Sequence, residues 1–206
     1  MLTFVVTMLA VANAEKAQSK PKPSDHIAYA RWMAHELTWG ILSTTSARTE
    51  GTTPGTAFGN PYSFADVDGT PYFYASNLDA SMVDLFGASS HSTRGTLALS
   101  AASLQGSDAF SSCKIGGLNP LGDPENPPCA RLVLSGNFSK PCSGSPEEKT
   151  AKAALFDKHP SFKLFPPGHA FYVAKMEVEG VWLIDAYGGA ATPSAKDYLA
   201  YNTTVA

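Results

Sequence analysis

The sequence predicts one mainly β domain, a β-barrel or α+β fold in which short helices are inserted between about seven strands. Three observations lead to this prediction. Segments of strand composition follow one another through short turns, so antiparallel hairpins dominate; strands and helices do not alternate as they do in parallel sheets; and no internal repeat is visible. The 206 residues, of which 44% are hydrophobic and 16% charged, suffice for one domain with a buried core.

The residues before Asp25 are expected to lie outside that domain. Leu2–Val11 is an uncharged apolar run, too short to span a bilayer, and Ala12-Asn13-Ala14 after it has the small-x-small pattern that signal peptidase accepts. We therefore predict a signal peptide over residues 1–14, with a frayed or buried N-terminal strand as the alternative. Residues 15–24 are polar and contain lysine and proline, which predicts a mobile leader, and the domain is expected to cover residues 25–206.

The first predicted element is a helix, followed directly by a strand over Trp39–Thr45. Asp25 is a suitable N-cap, and the apolar residues after it recur at helical spacing: Ile27, Ala30, Ala34 and Leu37. We expect a helix of about three turns here.

A hairpin is predicted after a loop over residues 49–60 that is rich in Gly, Thr and Pro. Its strands cover Pro61–Val67 and Thr70–Ser76, and Asp68-Gly69 between them is typical of a tight turn. Two elements follow, a short helix and then a strand: Asp79–Phe86 and Gly95–Ser103.

The second half begins with the least regular part of the chain, residues 105–128, where Gly, Pro, Asn and Asp are dense. A loop of this length inside a compact domain is typically functional, disordered or stapled. Ser145, Pro146 and Glu148 form a capping box, which predicts a helix that ends near Lys158. The other predicted elements are three strands, the last two joined by a tight turn at Glu179-Gly180, and a final short helix: Cys129–Ser139, His169–Val178, Val181–Tyr187, and a helix starting at Thr192-Pro193.

Charge and motif content argue against several function classes. The net charge is −3 at pH 7 and no run of Lys and Arg is present, so binding of DNA or RNA is not expected. The five histidines lack metal-ligand spacing, the cysteines form no C-x-x-C motif, and no G-x-S-x-G motif occurs. We therefore predict no metal site and assign no catalytic residue.

Two further features fit an exported protein: two glycosylation acceptor sequences and the three cysteines. Asn137-Phe138-Ser139 and Asn202-Thr203-Thr204 are both acceptor sequences for N-glycosylation. Beyond the predicted signal peptide, no apolar run is long enough to cross a membrane.

The three cysteines allow one disulfide. Cys113 and Cys129 bracket the irregular segment, where a bridge would staple the base of a long loop and contribute about 3 kcal/mol. Cysteine spacing alone fits three buried reduced thiols equally well, but export favours the bridge. Cys142 is then left over, either free or bonded to a partner chain.

Five short segments stand in an order that is seen in a known family: Trp39–Thr44, Pro71–Tyr74, Cys129–Gly136, Leu155–Pro160 and Val181–Gly189. Together they resemble the CREG family, the exported branch of the pyridoxamine 5'-phosphate oxidase-like FMN-binding split barrels. The resemblance covers nearly the whole chain after the leader. It implies an antiparallel split β-barrel with short peripheral helices that forms a homodimer, with the flavin site of the wider superfamily at the dimer interface. It also implies a secreted or endolysosomal-lumen glycoprotein with a cell-surface or lysosomal receptor as a partner.

The resemblance implies a candidate FMN site, which can be compared with the sequence residue by residue. FMN carries a dianionic phosphate, which a tight site meets with cations or several aligned donors. In flavin-binding split barrels, a strand followed by a helix start supplies hydroxyls and then an Arg/Lys pair. In the matching stretch here, Ser76 and Ser81 are the candidate donors, but Met82 and Val83 stand in place of the cations.

Four other positions belong to this candidate site. Asp79 brings a negative charge to the helix start, and Arg94 is the nearest cation in the sequence that could compensate. Ser63 and Phe64 would face the isoalloxazine ring if flavin binds. The alternative is that both are ordinary residues of the barrel without a role in flavin binding.

Two functions are therefore considered. The first, favoured by the missing cations, is a non-catalytic binding or regulatory protein that acts through its surface or its glycans. In that case the long segment 105–128 could lie across the flavin cleft. The second is an FMN-dependent oxidoreductase with a degenerate flavin site at the dimer interface, where FMN would supply the redox chemistry.

Overall fold

The computed structural model describes residues 20–104, 111–116 and 119–202. In these residues the chain forms one seven-stranded antiparallel sheet with four α-helices around it. The strands are β1 (Trp39–Thr45), β2 (Ala57–Ser63), β3 (Ala65–Val67), β4 (Thr70–Ala75), β5 (Arg94–Ser100), β6 (Arg131–Ser139) and β7 (Tyr172–Ile184). The helices are α1 (His26–Glu36), α2 (Ala80–Phe86), α3 (Pro146–Lys158) and α4 (Ala195–Ala200). The predicted signal peptide lies outside the described residues.

The sheet is curled because of how its edges are connected. Its strand order is β2-β1-β5-β6-β7-β4-β3, so β2 and β3 are opposite edges, yet only Phe64 separates them in the chain. Two peptide units reach about 7 Å at most, so the sheet must bend until its two edges meet at Phe64. The antiparallel barrel architecture predicted from the sequence is confirmed, whereas the single strand predicted over Pro61–Val67 is two strands that belong to opposite edges.

The inner face of the curled sheet holds the core. Buried side chains alternate along β6, where Leu132, Leu134 and Phe138 face inward as the two-residue strand period requires. Helix α1 packs against the same core with buried residues that include Ala30 and Met33, and Leu37 directly after the helix is buried there too.

The prediction of a tight turn at Glu179-Gly180 is wrong. Strand β7 runs without a break through this dipeptide, and β6 pairs along its length, from Arg131 opposite Ile184 to Ser139 opposite Lys175. Ser135 faces Gly180 and Gly136 faces Val178, so Glu179 is the extra residue of a β-bulge. A polar residue followed by glycine here bends a long strand and does not reverse it.

Local capping signals position the helices. The Asp25 carboxylate accepts a hydrogen bond from the Ala28 N–H at 3.1 Å and so begins α1 as predicted. The Ser145 hydroxyl accepts from the Glu148 N–H at 3.1 Å at the start of α3. The Glu148 carboxylate turns back to the Gly144 N–H at 2.6 Å, one residue earlier than in a standard capping box. The last helix is capped by Ser194, after the predicted Thr192-Pro193 start.

A disulfide staples the irregular segment, since Cys113 is bonded to Cys129 in the structure. Residues 105–110 and 117–118 of this segment lie outside the described residues. Cys142 is an exposed, free cysteine. Within the described ranges, no helix combines the length and hydropathy needed for a transmembrane span.

Candidate functional site

A cleft of about 230 Å³ opens beside the junction of the two sheet edges. We call it the aromatic cleft. It is formed by the end of β2, by β4 and the start of α2, and by the segment between α3 and β7. Its lining residues are Pro61, Tyr62, Ser63, Tyr74, Ser76, Asp79, Phe162, Phe165 and Phe171.

Tyr74 is the centre of a group of similarly oriented rings. Its ring centroid lies 5.0 Å from that of Phe171, 5.7 Å from Phe162 and 6.2 Å from Phe165, with interplanar angles of 19°, 29° and 21°. These are offset, nearly parallel arrangements of the kind that aromatic rings favour. Phe156 closes the group edge-on at 5.1 Å. Each of the three stacked phenylalanine rings is thus close to parallel with Tyr74, but Phe165 is inclined by 43° to Phe162 and by 38° to Phe171, so the cleft has an aromatic wall that is not flat.

Ser76 lies in the cleft, but its hydroxyl already has partners. It donates to the carbonyl of His169 at 2.7 Å and accepts from the Leu78 N–H at 3.2 Å. This pair of bonds ties the end of β4 to the segment before β7. A phosphate would have to displace the first bond to recruit this hydroxyl.

Asp79 places a carboxylate at the start of α2. Its Oδ1 accepts from the N–H groups of Ser81 (2.8 Å) and Met82 (3.3 Å), and its Oδ2 accepts from Asn60 Nδ2 at 3.3 Å. The N–H groups that a phosphate would use are thus taken by a negative side chain of the protein itself.

The negative charge of Asp79 also reaches neighbouring phenols. The pKa of Tyr62 is raised above its ordinary value, first by burial and then by the charge of Asp79. Burial and Asp79 together raise the pKa of Tyr172 to about 12. Both groups stay protonated at neutral pH.

Of the other residues predicted to bind the cofactor, Ser63 lines this cleft. Phe64, Ser81 and Arg94 do not. Phe64 is fully buried, with its ring 6.4 Å from Phe73 in the core, so its side chain occupies an ordinary barrel position. Ser81 and Met82 are also buried. The Ser81 hydroxyl finds no hydrogen-bond partner among the described residues.

Arg94 lies elsewhere and is already paired. It sits at the start of β5 opposite Asn137 and forms an ion pair with Glu179, the bulge residue of β7. Its side chain is 69% exposed and lines a different groove, together with Asn137 and the segment after α2. The compensation considered for Arg94 would require this ion pair to break and the side chain to move.

The structure shows a cationic side chain close to the start of α2 that was not predicted from the sequence. Arg48 lines a groove with Leu78, Ala80 and Val83, next to the first turn of α2. Its guanidinium is bound to the buried Asp84, with Nε 2.9 Å from Oδ1 and Nη2 3.3 Å from Oδ2. Arg48 is therefore close to the place where a phosphate-binding cation would be needed, but it serves an internal carboxylate.

The two glycosylation candidates differ in their surroundings. Asn137 is half-buried in β6, and its side-chain oxygen accepts from the Thr93 hydroxyl at 2.6 Å. Asn202 is exposed just after α4, while Thr203 and Thr204 of its acceptor sequence lie outside the described residues. Across the described ranges, no three His, Cys, Asp or Glu residues come together in a way that could hold a metal ion.

The curled antiparallel sheet and its lateral cleft define a split barrel, and solved structures of this class superpose on it. A heme binding protein from Mycobacterium smegmatis gives a TM-score of 0.63 at 20% identity, over 84% of this chain and 60% of that one. ChuZ from Campylobacter jejuni gives 0.55 at 11% identity, over 92% and 66%. At such identities the likeness shows the fold alone.

Sequence comparison gives the family. The family profile described as "CREG, beta-barrel" matches residues 21–200. Chicken Protein CREG1 is 30% identical over 185 residues, 86% of this chain and 87% of the relative. Human Protein CREG2 is 32% identical over 190 residues, 89% of this chain and 59% of the relative. The chain belongs to the CREG family, which confirms the resemblance seen in the five segments.

Proposed function

We propose that this protein is a non-catalytic binding or regulatory glycoprotein of the secretory route, which works as a homodimer outside the cell or in the endolysosomal lumen. The observation that carries the proposal is the carboxylate of Asp79 at the start of α2, where a flavin phosphate would need positive charge. The two candidate cations, Arg48 and Arg94, are each held by a carboxylate of the protein. Two missing charge-assisted contacts weaken FMN binding by about 10²- to 10⁴-fold.

The alternative, an FMN-dependent oxidoreductase with a degenerate site, draws on one specific observation. Ser63 and Ser76, both predicted to contact FMN, line the same cleft beside the Tyr74 rings. A flavin ring could stack on such a wall. Its phosphate would still meet Asp79.

An FMN titration of the purified protein separates the two functions. We expect no flavin absorption in the isolated protein and no saturable binding up to about millimolar FMN, a weak-affinity limit. Arg94→Gln should behave like the unmodified protein, since Arg94 is committed to Glu179. Stoichiometric flavin in the isolated protein, or sub-micromolar binding, would overturn the non-catalytic proposal.

The homodimer has a candidate surface on the outer face of the sheet. The register aligns one apolar row across five strands, from β2 to β7: Pro61, Ile41, Ala98, Val133 and Trp182. Trp182 is 38% exposed and ends this row, and contiguous apolar patches of this kind mark protein–protein contacts. We expect a dimer in sedimentation at tens of micromolar and weaker association for Trp182→Glu, whereas Tyr187→Glu, outside the row, serves as the control. A monomer at that concentration would contradict this part of the proposal.

Export and glycosylation have a direct test in secreting cells. We expect the protein in the medium or in lysosomes, with a mass that falls on enzymatic removal of N-glycans. Asn137→Gln and Asn202→Gln should each remove one glycan. A protein that stays unglycosylated in such cells would contradict the secretory assignment.

A further inference from the structure

The aromatic cleft combines an aromatic wall with a single charge. Of the nine residues that line it, Asp79 alone carries a charged side chain. The Tyr74 ring lies nearly parallel to those of Phe162, Phe165 and Phe171, and the Phe171 ring is 5.0 Å from it. An aromatic wall favours a planar aromatic ring as ligand, because such a ring can make offset-stacked and edge-to-face contacts with it.

The size of the cleft limits the ligand. Sites for drug-sized molecules are about 300–1,000 Å³, whereas this cleft measures about 230 Å³. A ligand of one or two fused rings with a short side chain fits this volume. A complete flavin nucleotide, with its ribityl chain and phosphate, would extend beyond this volume.

The charge of the cleft selects for a cation. The Asp79 carboxylate keeps an acceptor position, because Oδ2 has only the 3.3 Å contact from Asn60 while each carboxylate oxygen can accept two hydrogen bonds. An ammonium group there would gain a charge-assisted hydrogen bond and the attraction of the ring faces. A carboxylate or phosphate in the same place would be repelled by Asp79.

One positive charge lies near the wall. Lys152 Nζ is 5.8 Å from the Tyr74 ring centroid and 5.5 Å from that of Phe156. Lys152 is exposed on α3 and is not one of the lining residues, so solvent screens its charge more than that of Asp79.

We infer that the aromatic cleft binds a small planar aromatic amine, with its ring against Tyr74 and Phe165 and its ammonium at the Asp79 carboxylate. The inference rests on the proposed binding function of this family member, and it adds the ligand class. It needs neither flavin nor a second subunit.

A pair of matched probes tests the inference on the full-length protein at pH 6. Tryptamine and indole-3-propionate share the indole ring and have side chains of similar length, but their charges are opposite. Binding is followed by NMR chemical-shift changes in the protein. We expect saturable shifts for tryptamine that centre on residues 62–63, 74–79 and 162–171, and affinity for indole-3-propionate at least about tenfold weaker, as one charge-assisted contact implies.

Two variants locate the effect. Asp79→Asn keeps a good N-cap for α2 and should lower the affinity for tryptamine about tenfold without weakening indole-3-propionate. Phe165→Leu, at a partly exposed ring, should weaken both probes alike and keeps the test open if Asp79→Asn misfolds. Asp157→Asn, an exposed position on α3, is the control and should change neither affinity.

Equal affinity for the two probes, or unchanged tryptamine binding in a folded Asp79→Asn protein, would overturn the inference. So would the absence of saturable shifts for tryptamine at about 10 mM, the limit of weak binding. These outcomes are distinct from failure of the non-catalytic proposal, which depends on FMN and on no indole probe.

Discussion

Asp84 shows how this protein holds a charge inside its structure. The carboxylate is buried on α2 and accepts hydrogen bonds from Arg48, from the Thr44 hydroxyl at 2.9 Å and from the Ala47 N–H at 3.0 Å. Burial by itself would raise the pKa of Asp84, but these hydrogen bonds outweigh burial and hold the pKa below its usual value. The same pairing directs the charge of Arg48 to Asp84, although Arg48 lines the groove next to α2.

Asp84→Asn should lower the free energy of unfolding by about 3 kcal/mol, because it leaves the Arg48 guanidinium without its partner. The Arg48 side chain is 19% exposed, which places the effect at the low end for a buried pair. Urea denaturation at pH 7 measures it, and the exposed Asp157→Asn is the matched control, expected within about 0.5 kcal/mol of the unmodified protein. A loss below about 1 kcal/mol would show that solvent already satisfies this pair.

His159, at the end of α3, makes stability depend on pH. Burial lowers its pKa, a hydrogen bond to the Phe64 carbonyl at 2.8 Å partly opposes this, and the charge of Lys158 lowers the pKa further. The unfolded chain, with a histidine pKa of about 6.5, therefore takes up the proton first as pH falls. Stability from this group is lost on acidification below about pH 6.5.

We expect the urea midpoint of the protein to fall between pH 7 and pH 5, and His159→Gln, which can still donate to Phe64, to show a smaller fall. His169→Gln is the control for a general histidine effect. A pH dependence that is identical in all three proteins would rule out His159 as its source.

At the residue scale, the sequence could indicate part of the candidate site. Ser63 and Ser76, which the sequence placed in one candidate site, line the same cleft, and their role in cofactor binding stays a prediction. The aromatic wall could not be predicted, since Phe162, Phe165 and Phe171 come to Tyr74 only through the pairing of β4 with β7. Arg48 was missed for the same reason: its partner Asp84 is 36 positions further along the chain.

The bulge between β6 and β7 is the main irregular feature among the elements. Two glycines allow the strands to approach there, but they are crowded by different atoms. A Cβ on Gly136 would lie 2.0 Å from the backbone oxygen of Glu177, whereas a Cβ on Gly180 would meet the side-chain oxygen of Ser135 at 2.5 Å. Backbone cannot move aside without breaking the ladder, but a serine side chain can rotate.

Gly136→Ala should therefore destabilise the protein by about 3 kcal/mol and Gly180→Ala by less than about 1 kcal/mol. The two variants add the same methyl group on facing strands, so each is the control for the other. Thermal and urea unfolding measure the difference. Equal losses would mean that β7 shifts as a whole and that the Glu177 carbonyl is not the obstacle.

Elements were predictable where the signal is local. The caps at Asp25, Asp79 and Ser145 each mark a helix, because a side chain bonds a backbone N–H two or three residues away. The turn predicted at Glu179-Gly180 was wrong, because a polar residue followed by glycine is typical of a β-bulge as well as of a hairpin turn. Only the partner strand decides between them, and β6 lies some forty residues earlier.

For the whole molecule, the disulfide limits the freedom of the irregular segment. Cys113 and Cys129 are 16 positions apart, and closing a loop of this length restricts the unfolded chain. The double variant Cys113→Ser, Cys129→Ser should lose about 3 kcal/mol of unfolding free energy, and Cys142→Ser, at the exposed free cysteine, should lose none. Denaturation with and without a reducing agent checks both, and a double variant as stable as the oxidised protein would contradict the expectation.

The single residue between β2 and β3 also governs how the barrel is put together. The hairpins β1–β2 and β3–β4 are joined at Phe64, and each has one unpaired strand, β1 and β4. The later strands β5, β6 and β7 insert between these two, with β5 paired to β1 and β7 paired to β4. A nascent chain that ends before β5 therefore presents two unpaired strands to its surroundings, a state prone to self-association. Strand β5 later pairs with β1, but β4 stays uncovered until β7, beyond Ser139, has been made.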